Sequence, residues 1–110
     1  MTGHIASFVV AACLTACVSL TAAERPRPKT HTISLDGMRF QPDDLTVASG
    51  DTIVWVNKDL VAHTATSESG GFDSKIIQPE KVWKLTIKKK GEFAYACLLH
   101  PTMKAMLRVN

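Results

Sequence analysis

From about residue 30 onward, apolar and polar residues alternate with the two-residue period that is typical of β-strands. The alternating runs are short, and turn signals such as Gln41-Pro42-Asp43-Asp44 and Ser49-Gly50-Asp51 separate them. No stretch carries sustained helical periodicity. Short strands at regular spacing with turns between them predict an all-β fold, an antiparallel sandwich or barrel.

The alternation places strands at His31 to Phe40, Leu45 to Val47, Ile53 to Asn57, His63 to Thr66, Val82 to Ile87, Glu92 to Cys97 and Met106 to Val109. In the third of these, Trp55 and its alternate neighbours form one apolar face, and Val54 and Val56 form the other. Because both faces are apolar, we expect this strand to be central and covered on both sides.

The first part of the chain has a different composition. No charged residue occurs from Ile5 to Ala23, which predicts a signal peptide over residues 1–23. The charged, proline-spaced residues 24–29 predict a linker, and residues 30–110 form the predicted folded domain. Export places that domain outside the cytoplasm, in the periplasm, with no membrane span in the mature form.

Two processing sites remain open within the leader. Thr21-Ala22-Ala23 offers the small residues that precede a signal-peptidase cleavage. Leu14-Thr15-Ala16-Cys17 instead resembles a lipobox, which would end the leader at residue 16 and leave a lipid anchor on Cys17. A retained membrane anchor is a further alternative, although the many Ala, Ser and Thr residues of the stretch argue against it.

Four residues of the predicted domain have the side chains of a copper site. Cys97, His100 and Met103 stand within seven residues, and His63 lies upstream at a predicted strand. A thiolate, two imidazoles and a thioether are the ligand set of blue-copper electron-transfer sites. Met106 is a rival axial ligand, but it lies deeper in the last strand, so we favour Met103.

The cysteine count supports a metal at this position. Cys13 and Cys17 lie in the leader, so Cys97 stands alone in the predicted domain. A free thiol outside the cytoplasm is open to oxidation, and a bound metal explains its persistence. His4, in the leader, and His31, far from Cys97 along the chain, receive no role.

Three segments resemble the cupredoxin, or type 1 blue-copper, family, and most closely its amicyanin branch, with plastocyanin and pseudoazurin more distant. They are Met38-Arg39-Phe40-Gln41-Pro42 with the strands up to Ile53, then Trp55-Val56-Asn57-Lys58-Asp59 with His63-Thr64, and finally Gly91 to Cys97 with His100-Pro101 and Met103. The resemblance implies a Greek-key sandwich over residues 30–110 that binds one copper ion through His63, Cys97, His100 and Met103. It also implies electron transfer through the exposed edge of His100, within an apolar collar formed by Leu60, Val61, Ala62, Leu98 and Leu99.

Two positions depart from the amicyanin pattern. Leu99 replaces a proline that commonly precedes the second histidine, and it keeps a backbone N–H. We hypothesise that this N–H donates to the Cys97 thiolate and raises the reduction potential. Thr64 follows the first histidine where the family often has Asn, and we expect its hydroxyl to connect the two ligand loops.

These residues favour a one-electron carrier, a monomer that meets redox partners transiently. No acid–base pair or open coordination position indicates an enzyme, and a copper enzyme would need a second metal centre or an open site. Copper delivery or storage is the main alternative, and it would favour exposed, exchangeable ligands.

The chain has a formal net charge of +3. Many of its cations lie in the C-terminal third, namely Lys81, Lys84, Lys88, Lys89, Lys90, Lys104 and Arg108. They predict either a solvated surface or a docking patch for an acidic redox partner. Nucleic acid is not an expected partner, because no aromatic residues are interleaved with the lysines.

Overall fold

A computed structural model describes Gly3, Ala12 and residues 27–110. The predicted signal peptide, the lipobox and residues 24–26 of the linker therefore lie outside the described residues, apart from the two isolated leader positions. No helix of the described part is long and apolar enough to cross a membrane.

Residues 27–110 form two four-stranded sheets. The strands are β1 (Thr30–Leu35), β2 (Phe40–Gln41), β3 (Asp44–Val47), β4 (Thr52–Asn57), β5 (Thr66–Ser67), β6 (Val82–Thr86), β7 (Gly91–Cys97) and β8 (His100–Val109). One sheet has the order β2-β1-β4-β6 and the other β3-β8-β7-β5. The predicted all-β sandwich is confirmed, but the sheets are mixed, because β1 pairs with β4 and β3 with β8 in parallel.

Alternate residues of both sheets build the core between them. Its most buried members include Ile33, Leu35, Ile53, Trp55, Tyr95 and Leu107. The predicted central position of β4 is confirmed, because this strand lies between β1 and β6. The expectation of cover on both faces was wrong, since Val54 and Val56 on the outer face are only half-buried.

The predicted strand from His31 to Phe40 is divided by a tight turn. Asp36 N–H donates to the carbonyl of Arg39 over 3.0 Å, and the chain returns antiparallel as β2. Gly37 and Met38 adopt φ values of 63° and 61°, a left-handed conformation that glycine tolerates well and that is uncommon for methionine. The turn leaves the backbone N–H groups of both residues free to bind a side chain from another loop.

Two further boundaries differ from the prediction. The segment from His63 is not a continuous strand, because His63 makes an isolated bridge to Ile77 before β5 begins. The last strand starts at His100 rather than at Met106, so the ligand segment is itself paired with β7.

The strand directions define two ends of the sandwich. β1, β4 and β7 run toward one end, where Asn57 and Cys97 lie, and β6 and β8 begin there. We call it the Cys97 end. The opposite end, where β1, β4 and β7 begin, contains the turn before Gly91, and we call it the Lys90 end.

Candidate metal centre

Three of the four predicted ligands converge at the Cys97 end. The Sγ of Cys97 lies 3.7 Å from Nδ1 of His63 and 3.7 Å from Nδ1 of His100. The donor atoms of all three residues lie within 4.8 Å of one another. An ion held between such donors at about 2.0–2.3 Å requires donor separations of about 3.5–4 Å. The triangle therefore fits one small metal ion.

The protein shields most of this triangle from water. His63 is 0% and Cys97 1% exposed, whereas His100 is half-buried. The two imidazole rings meet edge to face, with centroids 5.0 Å apart. The site is consequently closed on the side of His63 and open on the side of His100.

Met103 reaches the interior through an irregularity in the β7–β8 pairing. Cys97 pairs with His100 and Ala96 pairs with Lys104. Residues 101–103 of β8 therefore have no partner residue in β7 and form a bulge between these two pairs. Of these three residues only Met103 is buried, at 3% exposure, and it packs in the same core cluster as Cys97. The structure thus buries the fourth predicted ligand three residues after the second histidine, in the core cluster that also contains Cys97.

The rival ligand Met106 belongs to the other face of the sheet. It pairs with Ala94, which alternates with the buried residues Tyr95 and Cys97 along β7. Residues that are directly opposite in adjacent strands share a face. The Met106 side chain therefore leaves the sheet on the side away from the Cys97 sulfur, which supports the choice of Met103.

The hydrogen bonds around Cys97 correct one hypothesis and confirm one expectation. The N–H that donates to the sulfur is that of Thr64, over 3.2 Å, and no described bond joins Leu99 to it. The structure does not support the Leu99 hypothesis, because the segment that carries His63 brings the Thr64 amide against the thiol instead. The hydroxyl of Thr64 accepts from Leu98 N–H over 2.9 Å, so it connects the two ligand loops as expected.

Sequence reasoning missed the partner of His63. The Nε2 of His63 lies 2.7 Å from Oδ2 of Asp59, which leaves Nδ1 to face Cys97. The same carboxylate accepts from the N–H groups of Gly37 and Met38 over 2.8 and 3.0 Å. Burial raises the pKa of Asp59, but the hydrogen bonds from His63, Met38 and Gly37 outweigh it and hold the pKa below its usual value.

A signal for Asp59 was present in the sequence, since it stands four residues before a predicted metal ligand. Metal-binding histidines commonly donate their second ring N–H to a carboxylate, which sets the tautomer and the ring orientation. The turn that supplies two further donors could not be foreseen, because it depended on the chain reversing at Gly37.

The rim of the open side is apolar. Leu60 is 96% exposed and Leu98 63% exposed, and Val61 and Leu99 are also exposed. Ala62, the fifth residue of the predicted collar, is half-buried. Met38, 41% exposed, lies in the turn that Asp59 holds and adds a side chain that the sequence pattern had assigned to a strand.

The cations of the predicted docking patch are dispersed. Lys88, Lys89 and Lys90 lie at the Lys90 end, beyond the start of β7. Arg108 is held on the surface by ion pairs with Asp44 and Glu92. Lys88 to Lys90 therefore cannot line the face that surrounds His100.

The comparisons with known proteins agree with this architecture. A family model for a cupredoxin-like domain matches residues 6–109. Amicyanin from Paracoccus versutus is 22% identical over 83 residues, which are 71% of this chain and 63% of that protein. Amicyanin-alpha from Methylorubrum extorquens is 23% identical, with 96% of this chain and 92% of that protein covered. The chain spans just under two thirds of the Paracoccus relative.

Two solved structures have the same fold. A Cu(I) form of an amicyanin mutant superposes with a TM-score of 0.70 at 22% identity, covering 74% of this chain and 82% of that one. The copper-containing nitrite reductase of Thermus scotoductus SA-01 gives 0.69 at 27% identity, covering 78% of this chain but 23% of that one. With the family model spanning nearly all residues, this chain belongs to the cupredoxin-like family.

Proposed function

We propose that this protein is a periplasmic blue-copper electron carrier that binds one copper ion through His63, Cys97, His100 and Met103. The observation that carries the proposal is the convergence of one sulfur and two imidazole nitrogens within 4.8 Å, with a buried methionine in the same core cluster as the sulfur. Soft sulfur and imidazole donors suit copper in both of its common oxidation states. A structural neighbour that is a Cu(I) form of amicyanin supports the choice of metal.

Bound copper supplies one-electron redox chemistry, and the protein supplies a rigid and mostly dry site. Thr64 N–H holds the Cys97 sulfur, and Asp59 holds His63. Because these donors are fixed by hydrogen bonds and burial, they move little when the charge of the site changes. Low reorganisation is what a carrier needs to exchange electrons quickly.

Electrons would enter and leave at the open side. His100 is the only half-buried member of the donor triangle, and exposed Leu60 and Leu98 lie beside its loop and the His63 loop. An apolar rim of this kind suits brief, small-area encounters with redox partners. We therefore propose that partners dock over His100 as transient complexes with a monomer.

The two alternative functions fit the site less well. Copper delivery requires ligands that exchange readily, whereas His63, Cys97 and Met103 are buried. A copper enzyme requires an open position or a second metal centre. Residues 27–110 contain one cluster of metal-binding His, Cys and acidic side chains, and the nitrite reductase neighbour is a much longer chain.

The test is the optical spectrum of the copper-loaded full chain. We expect an intense Cu(II)–thiolate band near ~600 nm, a reversible one-electron wave, and loss of the band in Cys97→Ser. Met106→Leu is the matched control and should keep the band, because its side chain is on the other face of the sheet. Far-UV circular dichroism establishes that each variant is folded.

A folded wild-type chain without the band that passes Cu(I) to a chelator within seconds would instead establish copper delivery. A band of undiminished intensity in Cys97→Ser would show that the metal is bound elsewhere.

A further inference from the structure

The Lys90 end of the sandwich carries the net positive charge of the described domain. Arg27, Lys29, Lys88, Lys89 and Lys90 gather there, all exposed, and none forms an ion pair with another described residue. Apart from these five residues, residues 27–110 contain seven Lys or Arg against nine Asp or Glu. The positive charge is thus concentrated at one end.

Two acidic residues lie at this end, and neither neutralises the five cations: Glu92 is already paired with Arg108, and Asp51 is buried. Asp51 is 4% exposed, and its carboxylate accepts hydrogen bonds from Lys29 N–H, Ala48 N–H and His31. The Asp51 carboxylate is therefore committed to hydrogen bonds within the protein. An open cleft of about 810 Å³ lies beside it, and Arg27 and Lys90 both line this cleft.

These charges are too far from the donor triangle to serve partners there. β7 runs for six residue steps from Gly91 to Cys97, a rise of about 20 Å. Exposed charges are screened over about 8 Å at physiological ionic strength. The basic surface thus needs a function of its own, separate from electron transfer at His100.

The path of the chain indicates what that surface meets. The uncharged stretch that ends at Ala23 is followed by Arg27 after three residues, so the two lie at most about 14 Å apart. Arg27 lies at the Lys90 end, in the cleft with Lys90. Whenever the leader holds the chain at a membrane, this short connection keeps the Lys90 end close to the headgroups. A lipid on Cys17 would tether the same end through a longer segment of ten residues.

We propose that the Lys90 end docks on an anionic phospholipid bilayer and directs the Cys97 end, with His100, away from the membrane. Clustered lysines and arginines near a tether are attracted to anionic headgroups, and each one that lies near the surface adds about a fivefold increase in binding. The docked orientation leaves the apolar rim around His100 open to soluble redox partners. Docking does not require copper.

The experiment is flotation of the full chain, without metal, on vesicles of phosphatidylcholine with or without phosphatidylglycerol. Leader insertion contributes on both vesicle types, so the measured quantity is the ratio of binding between them. The test variant is Lys88→Gln/Lys89→Gln/Lys90→Gln. The matched control, Lys58→Gln/Lys81→Gln/Lys104→Gln, removes three exposed lysines that lie nearer the Cys97 end.

We expect the wild type to prefer anionic vesicles and to lose this preference at about 1 M salt, where screening shortens to ~3 Å. The test variant should lose roughly a hundredfold of the preference, and the control much less. Equal losses in the two variants would overturn the proposal, because net charge alone would then explain binding. A wild type that binds both vesicle types equally but binds polyglutamate would overturn the proposal in favour of an acidic protein partner.

Vesicle binding and the copper spectrum are independent measurements. A chain that is blue but shows no preference for anionic vesicles refutes the docking alone, and a colourless chain that docks refutes the carrier alone.

Discussion

Asp59 supports His63 from behind and joins three separate parts of the chain. Its carboxylate accepts from the His63 ring over 2.7 Å and from the Gly37 and Met38 amides in the β1–β2 turn. Its own N–H donates to Oδ1 of Asn57. A side chain with this many fixed partners cannot rotate freely, so the ring of His63 keeps both its orientation and its tautomer.

We predict that Asp59→Asn weakens copper binding by about 10–100-fold and raises the midpoint potential. The carboxylate makes the imidazole a stronger donor and thereby favours Cu(II), so its loss favours Cu(I). A tenfold change in the relative affinity for the two oxidation states corresponds to ~59 mV, which voltammetry resolves. The visible band should persist, because the four proposed ligands remain.

The control for this prediction is Asp36→Asn. Asp36 is an exposed acid in the same turn whose carboxylate makes no described hydrogen bond, so the variant removes the same charge without the contact. An equal rise in potential in the two variants would mean that Asp59 acts through charge alone. An unchanged potential in Asp59→Asn would mean that the contact does not tune the site.

β4 is the element that positions the first histidine, and Asn57 is the residue that ends it. The side chain is 0% exposed, and its Nδ2 donates to the carbonyls of Val61 and Ile77 over 2.9 Å each. These bonds hold the loop before His63 against the segment after it. Where the backbone hydrogen bonds of β4 end, the side-chain amide of Asn57 therefore takes over and fixes the following loop.

We predict that Asn57→Ala lowers the free energy of unfolding by at least about 3 kcal/mol, because it leaves buried backbone groups without partners. Urea denaturation of the metal-free chain measures the loss. Val54→Ala, on the half-buried outer face of the same strand, should cost about 1 kcal/mol. Similar losses at the two positions would show that the Asn57 hydrogen bonds are not what stabilises this loop.

At the scale of the whole molecule, the two ends of the sandwich use polar residues differently. At the Cys97 end, buried polar groups orient prospective metal ligands. At the Lys90 end, Asp51 joins the entry of the chain to the β3–β4 turn. The Lys29 N–H, the His31 side chain and the Ala48 N–H lower the pKa of Asp51 to about 2, despite the opposing effect of burial.

This shift gives a prediction for acid stability. Because the folded pKa lies below the unfolded value of about 3.9, Asp51 stabilises the fold above about pH 4 and loses that contribution as the pH falls toward 2. The melting temperature of Asp51→Asn should therefore lie below that of the wild type at neutral pH, and the two should approach each other in acid. Thermal scans from neutral pH to about pH 2 measure this.

Asp36→Asn removes one negative charge from an exposed side chain and controls for the change in net charge. If the difference in melting temperature between Asp51→Asn and the wild type stays constant down to pH 2, the three hydrogen bonds do not stabilise the ionised carboxylate.

The sequence by itself determined the fold class and identified the candidate metal ligands. Period-two alternation is a local property of strands, so β3, β4, β6 and β7 are predicted to within about two residues. The short spacing from Cys97 to Met103 is also local, because a few residues after a strand cannot travel far. The expectation that the Thr64 hydroxyl joins the ligand loops came from the resemblance, because Thr64 stands where the family often has Asn, and it is confirmed.

Only the tertiary structure decided the features that depend on distant segments. The thiol receives Thr64 N–H rather than Leu99 N–H because the loop after His63 meets the end of β7, 33 residues later in the chain. The turn at Gly37 and Met38, which looked like a strand, is held by Asp59 more than 20 residues later. The lysines of the C-terminal third are separated because β-strands carry adjacent parts of the chain to opposite ends of a sandwich, a separation that alternation alone does not reveal.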